Sequence, residues 1–275
     1  MSPATNSHEC IVEVGGLPIS LRTDDPHFLE SVRQRYAGFI SQSKPQAELL
    51  LELATAASAS DEDVQVLRDG REWLVKRGDF RARWDPQTGR GTVRQNPSPY
   101  ALDSVLRIVH SLILASTGGF LLHAASAICE DKAYVFSGVS GAGKTTMTRL
   151  APENVVLLTD EVSYIRPAGE GYSAFGTPFA GELARVGENC SAPIAALFFL
   201  NQGPENRVDE LPTTIAVQRL MRNILFFAQD RDLVETIFAS ACQFVSRIPV
   251  RQLTFYPDSR VWNEVVSFGR EAAHA

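Results

Sequence analysis

The chain has 275 residues, of which 44% are hydrophobic and 21% are charged, and its formal net charge is −6. This composition is ordinary for a soluble globular protein, and the length allows one large domain or two small ones. The excess of acidic residues argues against a protein that binds nucleic acid through a broad basic face. The four cysteines lack CxxC or zinc-knuckle spacing, and no signal peptide or spanning segment is recognisable. We therefore expect a cytoplasmic protein with no nucleic-acid or membrane partner.

Residues 1–98 are predicted to form a smaller, β-rich α+β unit to which no role is assigned. A helix is expected to be capped by Asp25 and to begin at Pro26. The sequence NPSP at 96–99 cannot continue a strand and marks the expected domain boundary. The predicted elements are a hairpin over 11–21, the helix over 26–40, a loop over 58–63, and strands at 49–53, 64–67, 72–76 and 80–84.

Residues 99–275 are predicted to form an α/β nucleotide-binding and catalytic domain around a mixed sheet. A glycine-rich loop and a short helix that ends before Pro152 separate the second of its strands from the third. Nearly continuous apolar runs, such as those at 155–158 and 194–200, are typical of buried strands. The predicted elements are strands at 120–128, 133–136, 155–158, 162–165, 194–200 and 251–255, and helices over 100–116, 213–229 and 230–245.

The strongest motif is GVSGAGKT at 138–145, which matches the GxxxxGK[ST] phosphate loop. Glycines allow consecutive N–H groups to point at phosphate oxygens, and the N-terminus of the following helix adds partial positive charge. Lys144 is expected to reach the β- and γ-phosphates, and the Thr145 hydroxyl is expected to bind Mg²⁺. The predicted nucleotide-binding residues are Gly138, Ser140, Gly141, Ala142, Gly143, Lys144, Thr145 and Thr146.

Two adjacent acidic residues, Asp160 and Glu161, follow the apolar strand at 155–158. An acid at the carboxyl end of a buried strand lies where α/β sheets bind ligands. With the phosphate loop upstream, both are predicted to hold Mg²⁺ together with Thr145. The pair can also divide the work, so that one carboxylate binds the metal while the other accepts the proton of an acceptor hydroxyl. We expect Asp160 to be that base.

Two further segments contain candidate residues. His123 lies in the strand at 120–128, where a lone histidine is more often a core residue than a catalytic one. The loop GTPFAGE at 176–182 carries Thr177 and Glu182, and Arg185 follows it. This loop could cover the acceptor or could be an ordinary connection. In a kinase, His123 would orient Asp160 or the γ-phosphate, and Arg185 would neutralise charge on the transferred group.

The segments LLHAASAI, GVSGAGKT, LLTDEVSYI and GTPFAGE, in this order, resemble the HPr kinase/phosphorylase-related family over residues 100–260. The resemblance implies a phosphoenolpyruvate-carboxykinase-like P-loop fold that phosphorylates a serine hydroxyl with ATP, and it makes a homo-oligomer plausible. It also implies that His123 lines the active site and that Asp160 is the base, with Glu161 in place of a second aspartate near Mg²⁺. The glycine-rich protein-binding loop of bacterial HPr enzymes is not recognisable in this sequence, and the segment GTPFAGELAR stands roughly in its place. An acceptor other than HPr is therefore expected.

These observations predict a Mg²⁺- and ATP-dependent kinase that acts on a serine-type hydroxyl of a protein or peptide. Its catalytic residues would be Asp160, His123, Lys144, Glu161 and Arg185. One alternative is a nucleotide-binding switch or assembly protein without productive transfer, whose partner would bind residues 1–98. Another is a small-molecule phosphotransferase of the carboxykinase type, which needs several cations around an acidic substrate. Since no lysine follows Lys144, only arginines could supply them.

Overall fold

A computed structural model describes residues 7–54, 63–179 and 186–272. Within these ranges the chain forms six α-helices and sixteen strands, and the strands form two mixed sheets. This confirms the predicted α/β class. The chain divides into two compact units, one drawing on residues up to 113 together with 226–234, the other on 114–225 and residues from 235 onward. The domain boundary expected after residue 98 stays a prediction. No helix in the described ranges is both long and apolar enough to span a bilayer, and the four cysteines are unpaired.

The first unit contains an eight-stranded mixed sheet with the spatial order β3-β1-β2-β4-β8-β7-β6-β5. The central strands β2, β4 and β8 are parallel, and the other neighbours are antiparallel. The predicted hairpin over 11–21 and the predicted strands at 64–67, 72–76 and 80–84 are confirmed, and the last three pair with one another in chain order. The strands are β1 (His8–Val14), β2 (Leu17–Thr23), β3 (Ile40–Ser41), β4 (Ala47–Leu53), β5 (Gln65–Asp69), β6 (Glu72–Arg77), β7 (Phe80–Asp85) and β8 (Arg90–Gln95).

The first helix, α1 (Pro26–Arg35), begins as predicted but is shorter than the expected 26–40. The Asp25 carboxylate accepts a hydrogen bond from the backbone N–H of Phe28 at 2.9 Å. The helix stops because Tyr36 leaves the helical conformation and a 3₁₀ turn (Ala37–Phe39) leads into β3. The loop expected at 58–63 lies almost wholly outside the described residues.

The second helix, α2 (Pro99–Ser116), confirms the predicted one and carries three buried polar side chains of the first unit, Asp103, His110 and Ser111. The Tyr36 hydroxyl donates to the Asp103 carboxylate, which also accepts from Arg35 at 2.7 Å. Burial and the Asp103 charge raise the pKa of Tyr36 well above its ordinary value. On the same helix His110 is fully buried, and desolvation lowers its pKa to about 3.

The second unit is organised by two long strands, β9 and β14. The first half of β9 pairs with β12 and its second half with β10 and β11, while β14 pairs in turn with β13, β10 and β16. Strands β9, β12, β13, β14 and β10 therefore form a closed circuit of pairings. The strands are β9 (Phe120–Cys129), β10 (Lys132–Ser137), β11 (Val156–Thr159), β12 (Val162–Ala168), β13 (Gly171–Phe175), β14 (Ser191–Gln202), β15 (Arg207–Glu210) and β16 (Val250–Phe255).

The helices of the second half depart from prediction in two places. The helix expected over 213–229 ends six residues early, because Ile224 becomes extended and bridges to Leu122 of β9 while Leu225 donates to the Leu121 carbonyl at 2.8 Å. Tertiary pairing thus overrides the local helical pattern. A C-terminal helix was not predicted at all. The helices are α3 (Lys144–Arg149), α4 (Thr213–Asn223), α5 (Arg231–Arg247) and α6 (Val261–Ala272).

Candidate functional site

The phosphate-loop motif occupies the predicted position between a strand, β10, and a short helix, α3. Gly141 and Gly143 have positive φ angles of 78° and 109°, which disfavour residues with a side chain. At Gly143 space also demands glycine, because a Cβ there would overlap the ring of Phe255, at the end of β16. The conformation of the loop therefore favours glycine at both positions, and at Gly143 the contact with Phe255 adds a steric reason.

The lysine of the motif lies inside the loop. Lys144 is only 9% exposed, and its Nζ donates to the carbonyl oxygens of Gly138 at 2.9 Å and Val139 at 3.3 Å. Gln202, the last residue of β14, donates from Nε2 to the Gly141 carbonyl at 2.9 Å. Carbonyl oxygens of the loop thus accept hydrogen bonds both from Lys144 inside the loop and from Gln202 at the end of β14.

Asp160 and Glu161 form the turn between β11 and β12. Asp160 is 4% exposed and Glu161 is half-buried. The Thr159 hydroxyl shapes the turn by accepting the Glu161 N–H at 3.2 Å. Thr177, which is fully buried, places its hydroxyl 3.2 Å from Thr159 Oγ1 and 3.0 Å from the carbonyl oxygen of Val162. The loop that begins at 176 therefore braces the acidic turn, and this is the role the structure gives to Thr177.

Strand β9 connects the phosphate loop with the acidic turn. His123 of β9 is opposite Val162, the first residue after the turn. Its carbonyl oxygen accepts a hydrogen bond from the hydroxyl of Ser137, the last residue before the loop, at 3.0 Å. The neighbouring Ala124 N–H donates to the Glu161 carbonyl at 2.9 Å. The middle of β9 therefore contacts both the residue that precedes the phosphate loop and the acidic turn.

A cleft of about 450 Å³ lies between these elements. Most of the predicted site residues border it, but Gly138 and Ala142 do not: Gly138 contributes its carbonyl to Lys144, and Ala142 packs against the core. Arg185 lies outside the described residues. The lining residues are His123, Ser140, Gly141, Gly143, Lys144, Thr145, Thr146, Arg149, Asp160, Glu161 and Gln202.

Two lining residues were missed in the sequence, Arg149 and Gln202. Arg149 follows Thr145 by four residues on α3, so helical spacing alone would have placed both on one face. Gln202 ends a buried strand, and the rule that ligands bind at carboxyl ends of strands would have marked it. Arg149 and Lys144 are the two cationic side chains among the described residues that border the cleft.

The carboxylates of the cleft do not form a metal centre by themselves. In residues 7–54, 63–179 and 186–272 no three His, Cys, Asp or Glu side chains are grouped closely enough to hold a metal ion. Two adjacent carboxylates and the Thr145 hydroxyl do suit Mg²⁺, which typically takes one or two protein carboxylates and completes its shell with phosphates and water. The donor set therefore fits a metal that arrives with a nucleotide.

Comparison with known proteins corrects the family expected from the motifs. The family model described as "ScmC: SynChlorMet cassette protein ScmC" matches residues 99–267, more than half of the chain. None of the curated proteins compared with the sequence matches it. Assignment to the HPr kinase/phosphorylase-related family was therefore wrong: it rested on short segments around a phosphate loop, a motif that unrelated proteins can share. By its match over residues 99–267, the chain belongs to the SynChlorMet cassette protein ScmC family.

Proposed function

We propose that the protein is a Mg²⁺- and ATP-dependent phosphotransferase whose acceptor is a hydroxyl group of a protein or peptide. The observation that carries the proposal is the meeting of the phosphate loop and the Asp160–Glu161 turn in one cleft. Phosphoryl transfer needs a phosphate cradle, a metal-binding carboxylate and a group that receives the acceptor proton. The proposal includes a P-loop kinase fold for the second unit, supported by the order β10, glycine loop, α3.

Nucleotide binding would use the backbone N–H groups of the loop and two side chains. Lys144 would exchange its contacts with the Gly138 and Val139 carbonyls for the β- and γ-phosphates. The Thr145 hydroxyl, with Glu161, would hold Mg²⁺, which when bound neutralises charge on the phosphates. Because Lys144 is buried among carbonyls, an anion is a better partner for its ammonium group than those neutral acceptors.

In the transfer step, Asp160 would accept the proton of the acceptor hydroxyl as its oxygen bonds to the γ-phosphorus. The bond between that phosphorus and the β–γ bridging oxygen breaks, and ADP leaves. Arg149 would neutralise charge on the transferred group, the role expected of Arg185 from the sequence, because it is the second cation at the cleft. His123, which borders the same cleft, would orient Asp160. Most of the rate enhancement would come from positioning and electrostatics.

The test combines nucleotide binding with transfer. The full chain is titrated with a fluorescent ATP analogue and Mg²⁺, and is then incubated with γ-radiolabelled ATP and a lysate of the organism that encodes it. Lys144→Ala should lose binding, whereas Asp160→Asn should bind nucleotide and lose transfer by about a hundredfold or more. Competition by unlabelled GTP shows whether the site prefers adenine or guanine nucleotides.

Matched controls are available on the β9–β10 turn, where Asp131 and Lys132 are exposed. Lys132→Ala and Asp131→Asn change the same residue types away from the cleft and should leave binding and transfer unchanged. Normal transfer by Asp160→Asn would show that Asp160 is not the base. If nucleotide binds but no protein or peptide becomes labelled, and only slow phosphate release is seen, the kinase proposal fails and the switch hypothesis replaces it.

A further inference from the structure

One face of the sheet in the first unit is open to solvent across β4, β8, β7 and β6. Along these strands, buried and more exposed side chains largely alternate, so the latter share one face. Residues in register on neighbouring strands form rows that cross this face. The composition of two adjacent rows indicates a binding surface.

The first row contains three adjacent cations, called the basic row here, which lie between Glu52 of β4 at one end and Gln65 of β5 at the other. Arg94 of β8 is in register with Arg81 of β7, which is in register with Lys76 of β6. All three side chains are exposed. Since neighbouring strands are about 4.8 Å apart, the Cα atoms of the three residues span about 10 Å. Within the described ranges of the chain, none of them has an ion-pair partner.

Other arginines on this side of the sheet are neutralised by nearby carboxylates. The pairs are Arg90 with Glu48 at 3.5 Å, Arg83 with Glu72 at 2.6 Å, and Arg71 with Asp85 at 3.1 Å. Like charges directly opposite each other on a sheet are destabilising. Glu52 is in register with Arg94 at one end of the basic row, but Arg81 and Lys76 have no carboxylate in register. Their repulsion therefore costs folding free energy, which a bound anionic group would offset.

The second row, called the leucine row here, is largely apolar and lies two residues along each strand from the basic row. Leu74 of β6 is in register with Leu67 of β5, which is 53% exposed, and Leu50 of β4 is 41% exposed. Thr92 and Arg83 lie between Leu50 and Leu74 in the same row. An apolar row beside a basic row is complementary to an amphipathic ligand with one apolar and one acidic face.

We infer that this face of the first unit docks an acidic, amphipathic polypeptide segment of a partner protein. Carboxylates of the segment would lie on the basic row and its apolar side chains on the leucine row. The row's length of about 10 Å equals the rise between residues i and i+7 of a helix, so glutamates at i, i+3 and i+7 would match it. A nucleic-acid duplex fits less well, because its outer surface of phosphates and sugars offers no apolar side chains to the leucine row. The inference does not depend on the proposed phosphotransferase activity.

The experiment measures binding of a fluorescein-labelled helical peptide of about 18 residues, with Glu at i, i+3 and i+7 beside leucines, to the full chain. The test variant is Lys76→Gln/Arg81→Gln/Arg94→Gln. It should bind about tenfold more weakly, as expected for the loss of three exposed ion pairs. Wild-type binding should also weaken as NaCl rises from about 0.05 to about 0.5 M, because salt screens exposed charges.

Two controls distinguish a specific effect of the basic row on peptide binding from an effect of net charge and from a loss of stability. Arg207→Gln/Arg222→Gln/Arg260→Gln removes the same charge from exposed positions of the second unit and should bind like wild type. The basic-row variant should unfold at the same temperature as wild type or higher, since a repulsion is relieved. Equal binding by the two variants, equal binding of a peptide with Gln for each Glu, or a lowered unfolding temperature would each overturn the inference. So would tighter row-dependent binding of a DNA duplex or a phosphatidylserine vesicle.

Discussion

The substitution Gly143→Ala tests whether the phosphate loop depends on its contact with Phe255. At a φ of 109° an alanine is strained by about 1–2 kcal/mol. Its Cβ would also overlap Cζ of the Phe255 ring and lie 3.1 Å from Cε1. Phe255 is fully buried, so the overlap can be relieved only if the packed ring or the loop shifts. Such a shift costs about 1–3 kcal/mol more in the free energy of unfolding. We expect a total loss of about 2–5 kcal/mol in the free energy of unfolding.

Gly141→Ala is the matched control for this substitution. Its φ of 78° is also positive, but no atom lies within 4 Å of a Cβ built there. It should therefore lose only the backbone contribution, about 1–2 kcal/mol. Urea unfolding of both variants gives the two free energies of unfolding, and titration with a fluorescent ATP analogue compares their proposed nucleotide binding with that of wild type.

A second-site change completes the test. Phe255→Leu in the Gly143→Ala background should recover about 1 kcal/mol or more relative to the sum of the single changes, because the smaller side chain leaves room for the new methyl group. Equal losses for the two glycine variants would refute the steric reasoning. Strict additivity of Gly143→Ala with Phe255→Leu would refute it as well.

Three further predictions concern buried polar groups, each measured by urea unfolding. Thr177→Val should cost about 1–3 kcal/mol, because it removes the hydroxyl that braces the acidic turn. Burial keeps His110 neutral, so as pH falls from 6.5 towards 3 wild type should lose up to about 1.4 kcal/mol per pH unit more than His110→Gln; parallel pH profiles would contradict this. Tyr36→Phe should lower stability by about 1–3 kcal/mol near neutral pH, because Asp103 loses a donor. The raised pKa of Tyr36 also predicts that wild-type stability falls as pH rises above 10, a slope that the variant should lack.

Elements with strong local signals were predictable from the sequence. The apolar run of β9 and the helical spacing of α2 identified both elements within one or two residues. Strands β3, β8, β13 and β15 were missed; RVDE of β15, for example, carries too few apolar residues to suggest a strand and is held by its pairing with β16. The end of α4 was wrong because Ile224 pairs with β9, a contact that local periodicity does not encode.

The site was predictable where chemistry is encoded in adjacent residues. Lys144 and Asp160 were placed in one cleft because each follows a strand in a known type of motif. Gln202 was not found, because its contact with Gly141 depends on the parallel pairing of β10 with a strand about sixty residues later. The same short motifs suggested the wrong family, since they describe phosphate binding and say little about the rest of the chain.

The closed circuit of pairings in the second unit has a consequence for how this protein is made. Strand β10 is parallel to β14, and the loop that follows β10 contacts Gln202 and Phe255. Contacts of such long sequence separation form slowly and late in folding. During synthesis the loop therefore cannot reach its final conformation until residues through 255 have left the ribosome. Until then the phosphate loop would remain incomplete, and binding of ATP, the proposed ligand, would report that β14 and β16 are in place.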